Sequence, residues 1–240
     1  ALLINTRLTP DATHSFCSAD LSSCPSAREK AAAIATASLC RKSQKQQLSN
    51  PSCKIVLDIL VDAPPLESFA TVCEGLHTGD YPRFGRTFWE LMSVSGGWAF
   101  QQGGASAGEF CSGLESVLYW ESGEGALLRF VQERLGTDTV TQWIKGDKVW
   151  GKCGVAVGMM GDMKPSLYQG ALFTHGICAI VPHNQEDAAA LRSFCESGEL
   201  CREVRKLDQK VCAAVDSVAK VPFDLPRWRV VASETFSRGV

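Results

Sequence analysis

The sequence lacks the spacings that usually announce a metal centre. Its 11 cysteines are scattered with no Cys-x-x-Cys pair, and no two of its 4 histidines stand three to five residues apart, so the common structural-zinc patterns are missing and no metal ligand set is read. The start, Ala1-Leu2-Leu3-Ile4-Asn5-Thr6-Arg7, has no basic lead, no long apolar core and no small-residue cleavage site, so it is not expected to be a secretory signal. Together with the odd cysteine count, this reads as reduced, mostly buried thiols in a cytoplasmic protein. A surplus of one charge is lacking too: 24 Lys and Arg against 26 Asp and Glu give a net charge of -2. Any affinity for nucleic acid must then come from local basic clusters on a near-neutral body. No apolar run approaches the ~20 residues of a spanning helix, so no membrane partner is expected.

Catalytic loops are missing as well. Pro64-Pro65 is flanked by Ala63 and Leu66, which cannot hydrogen-bond the exocyclic amine of a base, so it reads as a turn. Residues 154–161 are glycine-rich but have neither the Gly-x-Gly-x-x-Gly order nor a Gly-Lys-Ser/Thr ending; strand packing explains them better than phosphate binding. His14, His77, His175 and His183 lie in no nucleophile-elbow context. Asp208-Gln209-Lys210 has the carboxylate-x-lysine spacing of many magnesium nucleases, yet the only Pro-Asp step, Pro10-Asp11, is far away in sequence. No catalytic residue and no cofactor-binding residue is assigned in this chain.

What is present is a chain of 240 residues, 45% hydrophobic and 21% charged, enough for a substantial core. Ser26 with Glu29 three residues on is a capping-box start for a helix over 26–37. The polar run 41–47 reads as an exposed connector, closed by Asn50-Pro51, and residues 54–60 read as a strand. Residues 75–113 are dense in glycine with Trp89 and Trp98, which suggests tight loops between short strands. Helix spacing of Leu127, Leu128, Val131 and Leu135 predicts a helix over 126–135 ended by Gly136. Strands are expected over 148–160 and 171–181. Two helices over 184–207, separated at Ser197-Gly198, should turn Leu191, Phe194, Cys195, Leu200, Val204 and Leu207 inward. Residues 211–221 read as extended, and Pro222-Phe223-Asp224-Leu225-Pro226 as a stop. No internal repeat is visible.

The segment Glu74-Gly75-Leu76-His77-Thr78-Gly79-Asp80-Tyr81-Pro82-Arg83-Phe84-Gly85-Arg86 resembles the Gly-Leu/Ile-x-Thr-Gly-Asp/x-Asn-x-x-Phe element that opens the target-recognition region of large adenine-specific DNA methyltransferases of type IIG restriction and phage-exclusion systems. Tyr81 stands where that element has Asn. Further blocks look similar and keep the order: Phe88-Trp89-Glu90, the run from Trp98 to Gly104, Tyr119-Trp120-Glu121, Gly154-Val155-Ala156-Val157 and Pro165-Ser166-Leu167-Tyr168. Ala190-Leu191-Arg192-Ser193-Phe194-Cys195, then Val204 to Lys210 and Val221-Pro222-Phe223-Asp224-Leu225, resembles the family's helix-then-proline close. The likeness covers roughly residues 50–235.

The resemblance implies an α/β (α+β) fold, a mixed, loop-rich sheet with a helix pair near the C-terminus. Residues 51–240 would be the DNA target-recognition domain, 11–50 a helical connector, and 1–10 the last strand of an upstream methyltransferase domain. S-adenosylmethionine would be held in that missing upstream domain, with none in this chain. The implied function is sequence-specific recognition of double-stranded DNA for adenine-N6 methylation. For DNA contact the reading selects Thr78, the Gly79 amide, Asp80, Arg83 and Arg86, because a glycine turn exposes N–H groups and two arginines three apart can flank a groove. Lys145, Lys148, Lys152 and Lys164 form a second basic series with Trp143 and Trp150 interleaved. A solvated charged loop and core tryptophans with ordinary surface lysines would explain the same residues. Two other functions stay open: a magnesium-dependent nuclease segment using Asp208 and Lys210, and a module that docks a partner subunit.

Overall fold

A computed structural model describes residues 14–21, 23–48, 50, 54–56, 63–105, 109 and 111–236. The chain divides into two compact units between positions 61 and 62. The strand expected at the start of the chain lies outside the described residues, as does most of the one expected over 54–60; residues 54–56 have no regular structure.

The first unit pairs β1 (Ser15–Ser18) antiparallel with β2 (Cys40–Ser43), Ser15 opposite Ser43. Between them α1 (Ala27–Ala33) starts at the expected cap: the Ser26 hydroxyl accepts from the Glu29 amide at 3.2 Å. Residues 41–47, expected as an exposed connector, instead form β2 and α2 (Gln44–Leu48). The Cys40-Arg41-Lys42-Ser43 run alternates too weakly to signal a strand, and its pairing with Ser15–Ser18 fixes it.

The second unit carries two four-stranded sheets. Sheet one has the order β3 (Ala70–Glu74), β10 (Ile177–Pro182), β7 (Gly154–Gly158), β8 (Pro165–Tyr168), all neighbours antiparallel. Sheet two runs β4 (Gly85–Thr87), β6 (Ser116–Tyr119), β5 (Trp98–Gln102), β9 (Leu172–Phe173), with β5 and β9 parallel. The fold is thus mixed α/β, with short strands and glycine turns over 75–113.

Every residue of β10 is buried, as befits a central strand packed on both faces. Ile177, Ala179 and Val181 join Val149, Ala156, Tyr168 and Phe173 in one cluster. The strand period of two sends Cys178 and Ile180 to the opposite face. Near sheet two, Leu76, Phe84, Leu118, Leu172 and the inward residues of α4 (Ala126–Leu135), Leu127 and Val131, make a second cluster. Gly136 ends α4 in the left-handed conformation at φ 66°. Two expected strands are shorter than read: only Gly154–Gly158 of 148–160 is strand, and Thr174, His175 and Gly176 interrupt 171–181 so that β9 and β10 enter different sheets.

The helix pair is α5 (Ala188–Glu196) and α6 (Glu199–Leu207), separated at Ser197 and Gly198, the latter at φ 74°. All six residues expected to face inward are buried. Beyond them, two expectations fail. Residues 215–219 form α7 (Val215–Ala219) rather than extended chain, and the proline-rich stop begins α8 (Leu225–Thr235). The Asp224 carboxylate accepts from the Arg227 amide at 3.1 Å and Pro226 sits in the first turn. An acidic cap followed by an early proline is a helix start as much as a stop.

Candidate nucleic-acid interface

Strand register gathers several chain reversals at one end of sheet one. β3 ends at Glu74, opposite Cys178; Ile177 pairs with Gly158 and Val157 with Pro165. Beyond Glu74 the chain crosses to the turn between β9 and β10. The Leu76 amide donates to the Phe173 carbonyl at 2.9 Å and the His175 amide to the Leu76 carbonyl at 3.0 Å. Gly75 is required there, since a Cβ would lie 2.3 Å from both the Phe173 and Thr174 carbonyl oxygens.

The segment 140–150 closes over this crossing. The His77 amide donates to the Trp143 carbonyl at 2.8 Å, and the His77 ring meets the Trp143 indole edge-on, centroids 4.8 Å apart. Gly79, at φ 70°, lies against the same indole so closely that a Cβ would fall 2.2 Å from Cζ3. Lys145 Nζ reaches Glu74 Oε2 at 2.7 Å. The two sequence-separated groups selected for DNA contact therefore adjoin through Trp143, Glu74 and Lys145.

Each selected residue has its own setting. Thr78 is buried at 8% exposure, with its neighbour Gly79 exposed. The Asp80 side chain makes no capping bond, whereas its carbonyl accepts from the Arg83 and Phe84 amides at the start of α3 (Tyr81–Phe84). Arg83 places its guanidinium over the Phe84 and Phe130 rings, 5.0 and 5.4 Å from the centroids. Arg86 folds back, its Nη1 donating to the Pro82 carbonyl at 2.7 Å and the Gly85 carbonyl at 2.6 Å. The two arginines serve their own turn and aromatic neighbours first. Lys148 and Lys152 are exposed, with Lys152 Nζ donating to the Lys148 carbonyl at 2.8 Å. Lys164 is exposed in the β7–β8 turn, at the same end of the sheet as Glu74 and three strand spacings away, about 14 Å.

Burial lowers the His77 pKa below the ordinary imidazole value; His175 and Lys145 push the same way and Glu74 opposes them. Burial raises the nearby Cys73 thiol, which the positive charges of Lys148 and Lys152 partly offset. Sequence reasoning missed the His77–His175 pair and the Trp143 platform, because the partners are about a hundred and about sixty residues apart and no local pattern joins them. The aromatic cluster of Phe88, Trp89 and Phe100, with ring centroids 5.0 and 6.4 Å apart, was foreshadowed only by the Phe88-Trp89-Glu90 block. Trp89 is 63% exposed and Met92 fully so.

Asp208, the nuclease candidate, is 7% exposed and already engaged. Its Oδ2 accepts from the Ala214 amide at 3.0 Å and the Ser217 hydroxyl at 3.2 Å, and its Oδ1 from the Lys210 amide at 3.1 Å. Burial pushes this carboxyl up, but the bonds from Ala214, Lys210 and Ser217 outweigh it and hold the pKa below the ordinary aspartate value. The group closes the turn between α6 and α7. Asp208→Ala should cost about 1–3 kcal/mol at neutral pH, because three donors lose their acceptor. Since the folded pKa is the lower one, this contribution is complete above the unfolded aspartate value of about 3.9 and disappears as pH falls through the folded value. Urea titrations of both proteins from pH 7 downward should converge in acid; a gap that persists there would exclude this role.

Among the described residues no helix is long and apolar enough to cross a membrane. Set against known proteins, the chain matches no family model and no curated protein at a significant level.

Proposed function

We propose that residues 51–240 are a double-stranded DNA recognition module of an S-adenosylmethionine-dependent adenine-N6 methyltransferase, of restriction-modification or phage-defence type. One observation carries the reading: Gly79 and Lys145, chosen from separate stretches of sequence, meet at Trp143 and Glu74 on one end of sheet one. Exposed Lys164 adds a positive charge at that end, and exposed Lys148 and Lys152 follow along the segment that leads from Lys145 to the opposite end, where β7 begins at Gly154 beside Val181. Lysines so exposed are suited to phosphates, which fix register, while the glycine turn at Gly79 offers backbone to a groove. Methyl transfer belongs to the upstream domain, which would hold the cofactor and extrude the adenine.

The test is duplex DNA binding followed by fluorescence anisotropy over a salt series. Binding at low salt should weaken log-linearly with salt, and Lys148→Ala with Lys152→Ala should lower the slope by up to about 1.8, about 0.9 for each phosphate that the variant no longer neutralises. A chain that binds no duplex at low salt, its own unmethylated target included, does not have this function.

A second reading, subunit docking, is favoured by the exposed Phe88, Trp89, Met92 and Phe100. Mass measurement of the chain with the rest of its system separates this from DNA binding. The engaged Asp208 carboxylate argues against the magnesium-nuclease reading.

A further inference from the structure

The Nδ1 atoms of His77 and His175 lie 3.4 Å apart. That distance suits one hydrogen bond, and it also suits two nitrogens on one ion: metal–nitrogen bonds of about 2.05 Å at the tetrahedral angle span about 3.3–3.4 Å. Both rings sit on backbone that is pinned from outside the pair. His77 is held through its amide to Trp143 and by the indole beside it. His175 is held through its amide to the Leu76 carbonyl, next to the Leu76–Thr174 bridge. The rings are perpendicular, with centroids 4.7 Å apart. His175 is exposed and His77 half-buried, so solvent reaches the pair from one side.

We propose that His77 and His175 bind one divalent transition-metal ion of the zinc class through their Nδ1 atoms. Imidazole nitrogen suits zinc, copper and nickel, whereas magnesium and calcium take oxygen ligands. Among the described residues no three His, Cys, Asp or Glu groups come together as a metal-holding set. Among the described residues the site therefore has two protein ligands, with water in the remaining positions. The neighbouring Glu74 carboxylate is engaged by Lys145. The pair is a preset chelate on an exposed edge, independent of whether DNA binds there.

Cysteines compete for zinc, and ten are free among the described residues, so the readout belongs on the imidazoles. With ring nitrogens labelled, the chain's 4 histidines give few enough signals to assign. Zinc chloride added until the thiols are saturated should move the His77 and His175 Nδ1 resonances together, while those of His14 and His183 stay in place. Magnesium chloride should move neither. His175→Ala, an exposed substitution, should leave the fold intact and weaken the effect at His77 at least about tenfold. The proposal is overturned if saturating zinc leaves both resonances unchanged, if all four histidines respond alike, or if His77 responds equally in His175→Ala.

Discussion

Alanine at Gly75 is expected to cost the second unit about 3 kcal/mol and to undo the crossing that brings Gly79 and Lys145 together. The new Cβ would stand 2.3 Å from two carbonyl oxygens and 2.6 Å from the Thr174 carbonyl carbon. All three are backbone atoms, so no side chain can swing aside, and overpacking of this kind costs about 1–3 kcal/mol or more. The chain must separate at the Leu76–Thr174 bridge, the point that sets His77 against His175 and brings Trp143 under Gly79. Urea denaturation should show a lowered midpoint, and duplex DNA binding should fall further than in the double lysine variant. Alanine at Gly104, where a Cβ meets nothing within 4 Å, is the matching control and should change neither. An unshifted midpoint for Gly75→Ala would mean that the crossing yields at no cost.

Phe194→Ala should be the most damaging single change, about 3–5 kcal/mol. The Phe194 ring is fully buried on α5, with centroids 5.1 Å from Phe223 and 5.4 Å from Trp228, and Phe223 in turn meets Phe69 at 5.8 Å. One ring thus joins α5, the turn before α8, α8 itself and, through Phe223, the entry to β3. Its removal leaves a cavity among aromatics too large to rotate into it, so little of the loss is recovered by collapse. Thermal melts should show a drop of many degrees, with Arg227→Ala, which ends the exposed pair with Glu199, shifting the melt far less.

The helices α4, α5 and α6 were legible because each is long enough to show its period, and glycines at positive φ end α4 and separate α5 from α6. The cap at Ser26 was legible for a similar local reason. α7 was not: five residues with two valines carry no period, and the helix depends on Ala214, whose amide bonds to Asp208 six positions back. α8 was hidden because Asp224 and Pro226 serve equally as punctuation and as a first turn. The division of 171–181 into strands of two sheets is decided by Gln101 and Gln102 of β5, about seventy residues upstream. Of the site, the residue types at 78–86 and 145–164 could be named from sequence. Which of them adjoin could not, since Gly79 meets Trp143 and Glu74 meets Lys145 only through tertiary packing.

The buried amide of Gln102 donates to the Ser112 carbonyl at 3.1 Å and the Leu167 carbonyl at 2.9 Å, and Ser166 Oγ accepts from the Ser112 amide at 2.9 Å. With the Gly103 amide on the Gly113 carbonyl at 2.6 Å, these bonds clamp the two ends of the stretch between β5 and β6 onto β8. One buried side-chain amide and one hydroxyl thus lock a strand of sheet two to a strand of sheet one, so that the register of either sheet constrains the other.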